Sequence, residues 1–442
     1  MTPTAHRADR RTSVPARPDL SAGPSGPVRL LLGAGPADAG VSLVDHLQQW
    51  GPVPVWRATP FMDELDHSGL RGHGGAWFPV ATKWRSVAAS GGRDVVVVAN
   101  GAEGEPASDK DRYLLHHRPH LVLDGAAVAA STLGAGRVVV HVPPHAVASM
   151  RSAIGERRRA GLDPCPVDIV VAPDRFLAGQ ESSVVNTING RNVGIPSFVG
   201  LRPVRERGVG GRPTLVQNVE TLADVALVAR FGHEWFRQVG TPGSPGTALL
   251  TVTGWWPSPR IVEAPLGVSL AQLLGLTADD VHSLQGILFG GYGGGWVTPR
   301  EGGSTPLTEE AMRSIGSSLG AGVVVVLPKG PCPLAETAHV VRYLDGEGAG
   351  QCGPCVHGLG ALSTAMAQLA FRPRSLQGGV PAIEALCGLV EGRGACRHPD
   401  GAARFVRTAL RTFDAHVGDH LRRGPCGPGR PVLSLPLHPR SA

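Results

Sequence analysis

The sequence predicts an α/β chain in three parts. A parallel sheet layered with helices covers residues 28–242, a small α+β unit of the β-grasp kind covers 243–328, and a helical bundle covers 329–442. Three observations lead there. A chain of 442 residues exceeds what one ordinary hydrophobic core organises. The Val-rich runs of the first half are continuous rather than alternating, as strands buried on both faces require. Beyond 329 the strand patterns stop, and helical spacing broken by Gly-rich stretches takes over.

Taken in order, residues 1–27, "MTPTAHRADRRTSVPARPDLSAGPSGP", carry charges and prolines without an apolar h-region, so they read as a disordered tail and not a signal peptide. "VRLLLG", "DVVVVANG", "RVVVHVP" and "VDIVVAP" read as strands, with helices at "HLVLDGAAVAASTLGAG" and "HAVASMRSAIGERRRAG". In the middle part "TALLTVTGWW", "RIVEAPLG", "GILFGGYGG" and "GVVVVLP" read as strands and "SLAQLLGL" as a helix. No run approaches the roughly 18 apolar residues of a membrane span, so a cytoplasmic chain without direct membrane insertion is expected. The net charge of +6 is modest, and no Lys/Arg run is interleaved with aromatics, which argues against nucleic acid as a partner.

Four motifs carry chemistry. "GLRGHGGAWFPVATKW" (69–84) holds Gly72, Gly74 and Gly75, which let backbone approach a ligand, and Lys83, a point charge suited to phosphate. A Gly-rich surface loop is the plainer reading. "NGAEGEPASDKDR" (100–112) follows a strand directly, where ligands of parallel sheets bind. There Asn100 offers amide donors and an acceptor suited to a flavin edge, with Glu103 and Glu105 as a carboxylate pair. Lys110, Asp111 and Arg112 read equally well as a solvated face. Gly179, Gln180 and Glu181 stand where a loop enters a helix. In "GGRPTLVQNVETLADV", Asn218 and Thr221 share one face of a helix expected after Pro213; taken singly, both read as caps or satisfied polar groups. Lysines (83, 110, 329) and asparagines (100, 186, 189, 192, 218) are scarce, so their placement in these motifs carries weight.

In this order the motifs resemble one family: the NADH-binding flavoprotein subunit of respiratory complex I, with relatives in NAD-linked hydrogenases and formate dehydrogenases. Its patterns are close to GLRGRGGAGFPTGLKW, NADExEPGxxKDR, GEET and PTxxNNVET, and the likeness spans roughly residues 65–415. The resemblance implies a Rossmann-like first domain holding FMN, a β-grasp-like second domain and a helical iron–sulfur domain. It also implies NAD(H) as hydride donor and a ferredoxin-like or thioredoxin-like partner subunit as acceptor. Flavin contacts implied by it are Gly72, Gly74, Gly75, Lys83, Asn100, Glu103, Gly179, Glu181, Asn218 and Thr221; NADH contacts are Phe78, Glu105 and Glu181. A non-catalytic scaffold relative is the other class left open.

The departures from the family are specific. His73 replaces an Arg, Ala102 an Asp, Gln180 a Glu and Gln217 an Asn. Trp77 replaces a Gly, and is expected to crowd or stack in the nucleotide slot. "GLRPV" (200–204) replaces KPPFP, so slow reduction by NADH is expected. Seven cysteines without a secretory signal argue for metal rather than disulfides. The resemblance makes Cys352, Cys355 and Cys396 cluster ligands, with Ala349 where the family's first cysteine stands. Three thiolates suit a [3Fe–4S] cluster, or a [4Fe–4S] cluster with another ligand such as His357 or His398. Three cysteines with one histidine also make a structural zinc set, and absence of metal is the third reading. Cys165, Cys332 and Cys426 are expected to be inert, and Cys387 to be a core residue.

Overall fold

The computed structural model of the protein describes residues 29–31, 41–90, 94–197, 203–427 and 431–433. The tail expected at 1–27 lies outside them, as do residues 28, 32 and 33 of "VRLLLG"; residues 30 and 31 of that run form a turn. Among the described residues no helix is long and apolar enough to cross a membrane.

The first sheet is parallel, in the order β3-β2-β1-β4, with β1 at Val95–Asn100, β2 at Ala135–Val142, β3 at Val167–Val171 and β4 at Thr214–Asn218. The run "VVVVA" is apolar throughout because β1 is buried on both faces. Val95, Val97 and Ala99 join the core beneath helices Pro119–Leu133 and Val219–Phe236, while Val96 and Val98 face Val139, Val184 and Val216 on the other side. The two helices touch at Gly125, where a Cβ would stand 1.9 Å from the Leu222 carbonyl oxygen. The segment after Pro213 corrects the sequence reading. It is strand β4, not helix, because "TLVQN" pairs with β1 at the centre of the hydrophobic layer. The helix begins only at Val219, with the Asn218 side chain accepting a hydrogen bond from the Glu220 N–H as its N-cap.

The second sheet is mixed. Strands β5 (Thr247–Thr253), β6 (Arg260–Pro265), β7 (Leu284–Phe289), β8 (Gly295–Val297) and β9 (Val323–Pro328) lie in the order β6-β5-β9-β7-β8. β5 and β9 run parallel, and the other pairs antiparallel. Helix Leu270–Leu274 begins with a reciprocal cap between Ser269 and Gln272. Helices Pro333–Gly346, Leu359–Phe371, Gly379–Val390, His398–Thr412 and Asp414–Arg423 build the C-terminal region, whose core is continuous with one face of this sheet.

Candidate functional site

Two asparagines fix the mouth of the first sheet. Asn100 and Asn218 end the adjacent strands β1 and β4 and are register partners. Asn100 donates to the Gly179 carbonyl (2.9 Å), and its own side-chain oxygen accepts from the Ala102 N–H (3.3 Å). Gln180 caps helix Glu181–Ile188 by accepting from the N–H groups of Ser182 and Ser183. Lys83 donates to the Val216 carbonyl of β4 (2.6 Å) and pairs with Glu181 (2.9 Å), its side chain still partly exposed. The glycine loop arches over the same end: a Cβ on Gly74 would lie 3.3 Å from the Asn218 Cβ. Gly75 has φ +100° and open space where a side chain would project. Only glycine adopts that backbone without strain, and it leaves peptide groups uncovered. Phe78 is exposed nearby.

Behind the loop lies a buried charge network. His73 pairs with Glu220 (3.0 Å) and Asp224 (3.2 Å), one turn apart on the same helix, and its backbone N–H donates to the Thr221 hydroxyl (2.9 Å). Lys110 pairs with Asp111 (2.7 Å) and Glu220 (2.8 Å), and Asp111 accepts from the Asn218 amide (2.7 Å). Burial alone would lower the His73 pKa; Glu220 and Asp224 outweigh it and raise it to about 10. Burial would raise Glu220, but Lys110 and His73 hold it at about 2, while burial lifts Asp224 to about 6. Lys110 and Asp111 are therefore interior groups and not the solvated face that their charge suggests; Arg112 alone of that trio is exposed.

The carboxylate pair is committed to structure. Glu103 accepts from the Ser108 hydroxyl (2.5 Å) and from the backbone N–H groups of Asp111 (3.1 Å) and Arg112 (2.9 Å), anchoring the start of helix Lys110–His117. Glu105 accepts from the Tyr292 N–H (2.8 Å). Burial raises each to about 7, helped at Glu103 by the charge of Asp111. Trp77 corrects a second expectation. It turns away from the mouth into the core of the second sheet, with Leu250, Val252 and Phe289 in its cluster, and its indole N–H donates to the Gly320 carbonyl (3.1 Å). The backbone achieves this by a left-handed φ of 52° at Trp77. Of "GLRPV", residues 200–202 lie outside the described residues.

The cysteine loop adjoins this mouth. Cys352 precedes a π-helical turn at Pro354–Gly358, and Cys355 lies within it. The two thiols are hydrogen-bonding neighbours, and the Ala349 and Gly350 N–H groups also point at the Cys355 sulfur. Burial, with the nearby Cys352, lifts the Cys355 thiol to about 11; burial also raises Cys396. One segment joins the two places. Gly179 receives Asn100, while the Phe176 N–H donates to Glu347 (2.7 Å), and the Phe176 ring packs on His398 (centroids 5.5 Å apart). His357 is exposed, and the Nε2 of His398 lies 2.7 Å from the Leu344 carbonyl. Cys387 is buried in the core as expected, its thiol pushed up to about 12 by burial.

Residues 65–227 match the family model described as the Nuo51 FMN-binding domain. Residues 335–420 match that of the NADH-ubiquinone oxidoreductase-F iron-sulfur binding region. Together they span more than half of the chain. The chain is 28% identical over 380 residues to the F 2 subunit of NADH-quinone oxidoreductase of Rhizobium meliloti (strain 1021), covering 82% of this chain and 89% of that one. It is 26% identical over 389 residues to the F subunit of NADH-quinone oxidoreductase of Rickettsia felis (strain ATCC VR-1525 / URRWXCal2), covering 82% and 88%. The chain belongs to the family of NADH-quinone oxidoreductase F subunits. The solved structure of an NAD+-reducing [NiFe]-hydrogenase in the H2-reduced state is also similar, with a TM-score of 0.72 and 26% identity. That likeness covers 82% of this chain but only 63% of the hydrogenase chain.

Of the residues that the family's patterns single out, the fold brings Gly72, Gly74, Gly75, Lys83, Asn100, Gly179, Glu181, Asn218 and Thr221 to one end of the first sheet. Sequence reasoning missed Glu220 and Asp224, which give His73 its charge. Their spacing of four behind the Asn218 cap was the available signal.

Proposed function

We propose that the chain is the electron-entry subunit of a redox assembly, taking a hydride from NAD(H) at an FMN site on the glycine loop and passing electrons to an iron–sulfur cluster at Cys352, Cys355 and Cys396. When bound, FMN supplies the change from two-electron to one-electron transfer. The observation that carries the reading is the adjacency of the two sites through the Phe176–Glu181 segment, which contacts both Asn100 and the loop ahead of Ala349. The uncovered peptide groups around Gly75 suit a phosphate or flavin edge, and Lys83 supplies the cation, shared with Glu181.

The match of residues 335–420 to an iron-sulfur binding region supports a cluster over a single ion, with each thiolate on a different iron. The mixed sheet of residues 243–328, with its central parallel pair, supports the β-grasp-like reading of that part. The acceptor is a ferredoxin-like or thioredoxin-like partner subunit, and the setting is cytoplasmic.

The test is an anaerobic visible spectrum of FMN-reconstituted protein before and after NADH, run beside Lys83→Ala. Flavin and cluster absorbance are expected to fall with NADH. The variant is expected to bind FMN tenfold or more weakly, since a charge-assisted contact contributes about 1.5–3 kcal/mol. A protein that stays colourless after reconstitution would instead point to a scaffold.

A further inference from the structure

Four residues that the proposed electron path does not use converge at the far end of the C-terminal helices. Cys332 is the residue before helix Pro333–Gly346, His416 and His420 lie one turn apart on helix Asp414–Arg423, and Cys426 follows that helix. The Cys332 sulfur is 3.7 Å from the His416 Nε2 and 3.6 Å from the His420 Nε2. The Cys426 sulfur is 3.2 Å and 3.3 Å from the same two nitrogens. All four donor atoms lie within 4.8 Å of one another. We propose that Cys332, His416, His420 and Cys426 form a structural zinc site.

The geometry matches a tetrahedron around one ion. Zinc–sulfur bonds of about 2.3 Å and zinc–nitrogen bonds of about 2.0–2.1 Å give sulfur-to-nitrogen edges of about 3.5 Å. The four observed separations bracket that value. A two-iron cluster would place the ligands on separate irons and spread them further apart.

The orientation of His420 points the same way. Its Nδ1 lies 3.2 Å from the Leu369 carbonyl, to which it donates, so in the neutral ring Nε2 carries the lone pair; the Cys426 backbone N–H, 3.3 Å from Nε2, is the contact that a bound ion would displace. The four sulfur–nitrogen contacts form a closed ring around one centre. A cation at the centre satisfies all four. Metal binding there releases protons.

The consequence is a tie between the chain beyond residue 423 and the start of the helix that leads to the cysteine loop. The proposal departs from the expectation that Cys332 and Cys426 are inert. The set shares no residue with Cys352, Cys355 and Cys396, so zinc and iron are read separately.

The full chain, purified anaerobically, is analysed for zinc, iron and FMN, then titrated with Co2+. About one zinc per chain is expected, with tetrahedral cobalt bands and sulfur-to-cobalt charge transfer on substitution. Cys426→Ser, at an exposed position, and His416→Ala should each lose zinc and the charge-transfer band while retaining iron. Cys165→Ser should change nothing. No zinc uptake by the unmodified protein, uptake unaltered in both variants, or a Cys332–Cys426 disulfide in the anaerobic protein would each overturn the proposal.

Discussion

At the glycine loop His73 stands where the family has Arg, and in the cysteine loop Ala349 stands where it has Cys. The fold answers the two losses differently. Glu220 and Asp224 surround His73 and hold it protonated, so the cation survives the change of residue. Gln180 and Gln217 are similarly absorbed: the first caps a helix, and the second accepts a 3.4 Å hydrogen bond from the Trp84 indole. Ala349 has no side-chain donor of its own. Its N–H still points at the Cys355 sulfur, but it offers no electron pair to iron. A charge is replaceable by its surroundings because electrostatics act through space. A ligand bond needs a donor atom at one place.

The largest expected effect breaks the weaker side of that comparison. Cys396→Ser leaves two thiolates, and iron content after anaerobic purification should fall to a small fraction. Ala349→Cys is the converse. It should restore a fourth thiolate and keep a four-iron cluster intact in air, where the unmodified protein is expected to lose its open-corner iron and give the paramagnetic oxidised [3Fe–4S] form. Untouched iron in Cys396→Ser would remove that residue from the ligand set.

The next effects fall on the α/β side. Trp77→Gly relieves a left-handed backbone but empties a core site, and should cost about 3–5 kcal/mol in denaturant unfolding, as large aromatic truncations do. A variant that instead gains NADH reduction without losing stability would return Trp77 to the nucleotide slot. Glu220→Gln withdraws the shared partner of His73 and Lys110, and breaking a buried pair costs about 3–5 kcal/mol. Arg407→Gln removes more exposed pairs with Glu384 and Glu391, and should cost under about 1 kcal/mol. Equal losses would mean that the buried network holds no more of the fold than a surface pair.

The sequence carried the local signals and lost the distant ones. Continuous Val runs identified β1 and β2, whose Val residues are buried, and β3, an edge strand that leaves Asp168 and Val171 exposed. β4 was hidden, since five residues abut a longer helical pattern and only pairing with β1 makes "TLVQN" a strand. The CxxC at 352 and 355 was legible because its ligands are neighbours in the chain. Cys332 and Cys426 were not, because the fold alone brings position 332 to positions 416–426. Trp77 was misplaced, and Lys110 left between two readings, for a related reason: residue type suggests exposure or a ligand contact, but the partners that bury them come from β5–β9 and from helix Val219–Phe236.

The last expected effect sharpens the comparison by pH. The unfolded His73 titrates near the ordinary histidine value of about 6.5, whereas the folded one titrates at about 10. A folded pKa above the unfolded one contributes stability that is fully present below the unfolded value and is lost as pH rises through the folded value. His73→Gln cannot take part in that exchange. The stability difference between the unmodified protein and His73→Gln should therefore be greatest at pH 6.5 and shrink steadily toward pH 10. Of the groups facing His73, Glu220 is held at about 2, below the window, and Lys110, raised by Asp111 and Glu220, titrates above it, whereas Asp224, at about 6 beside His73, rises when His73 is removed and takes part in the exchange. Chemical denaturation of both proteins across that range measures the difference directly. A gap independent of pH would mean that His73 is neutral in the fold, and that the cation of the family's Arg has been lost here as the thiolate was lost at Ala349.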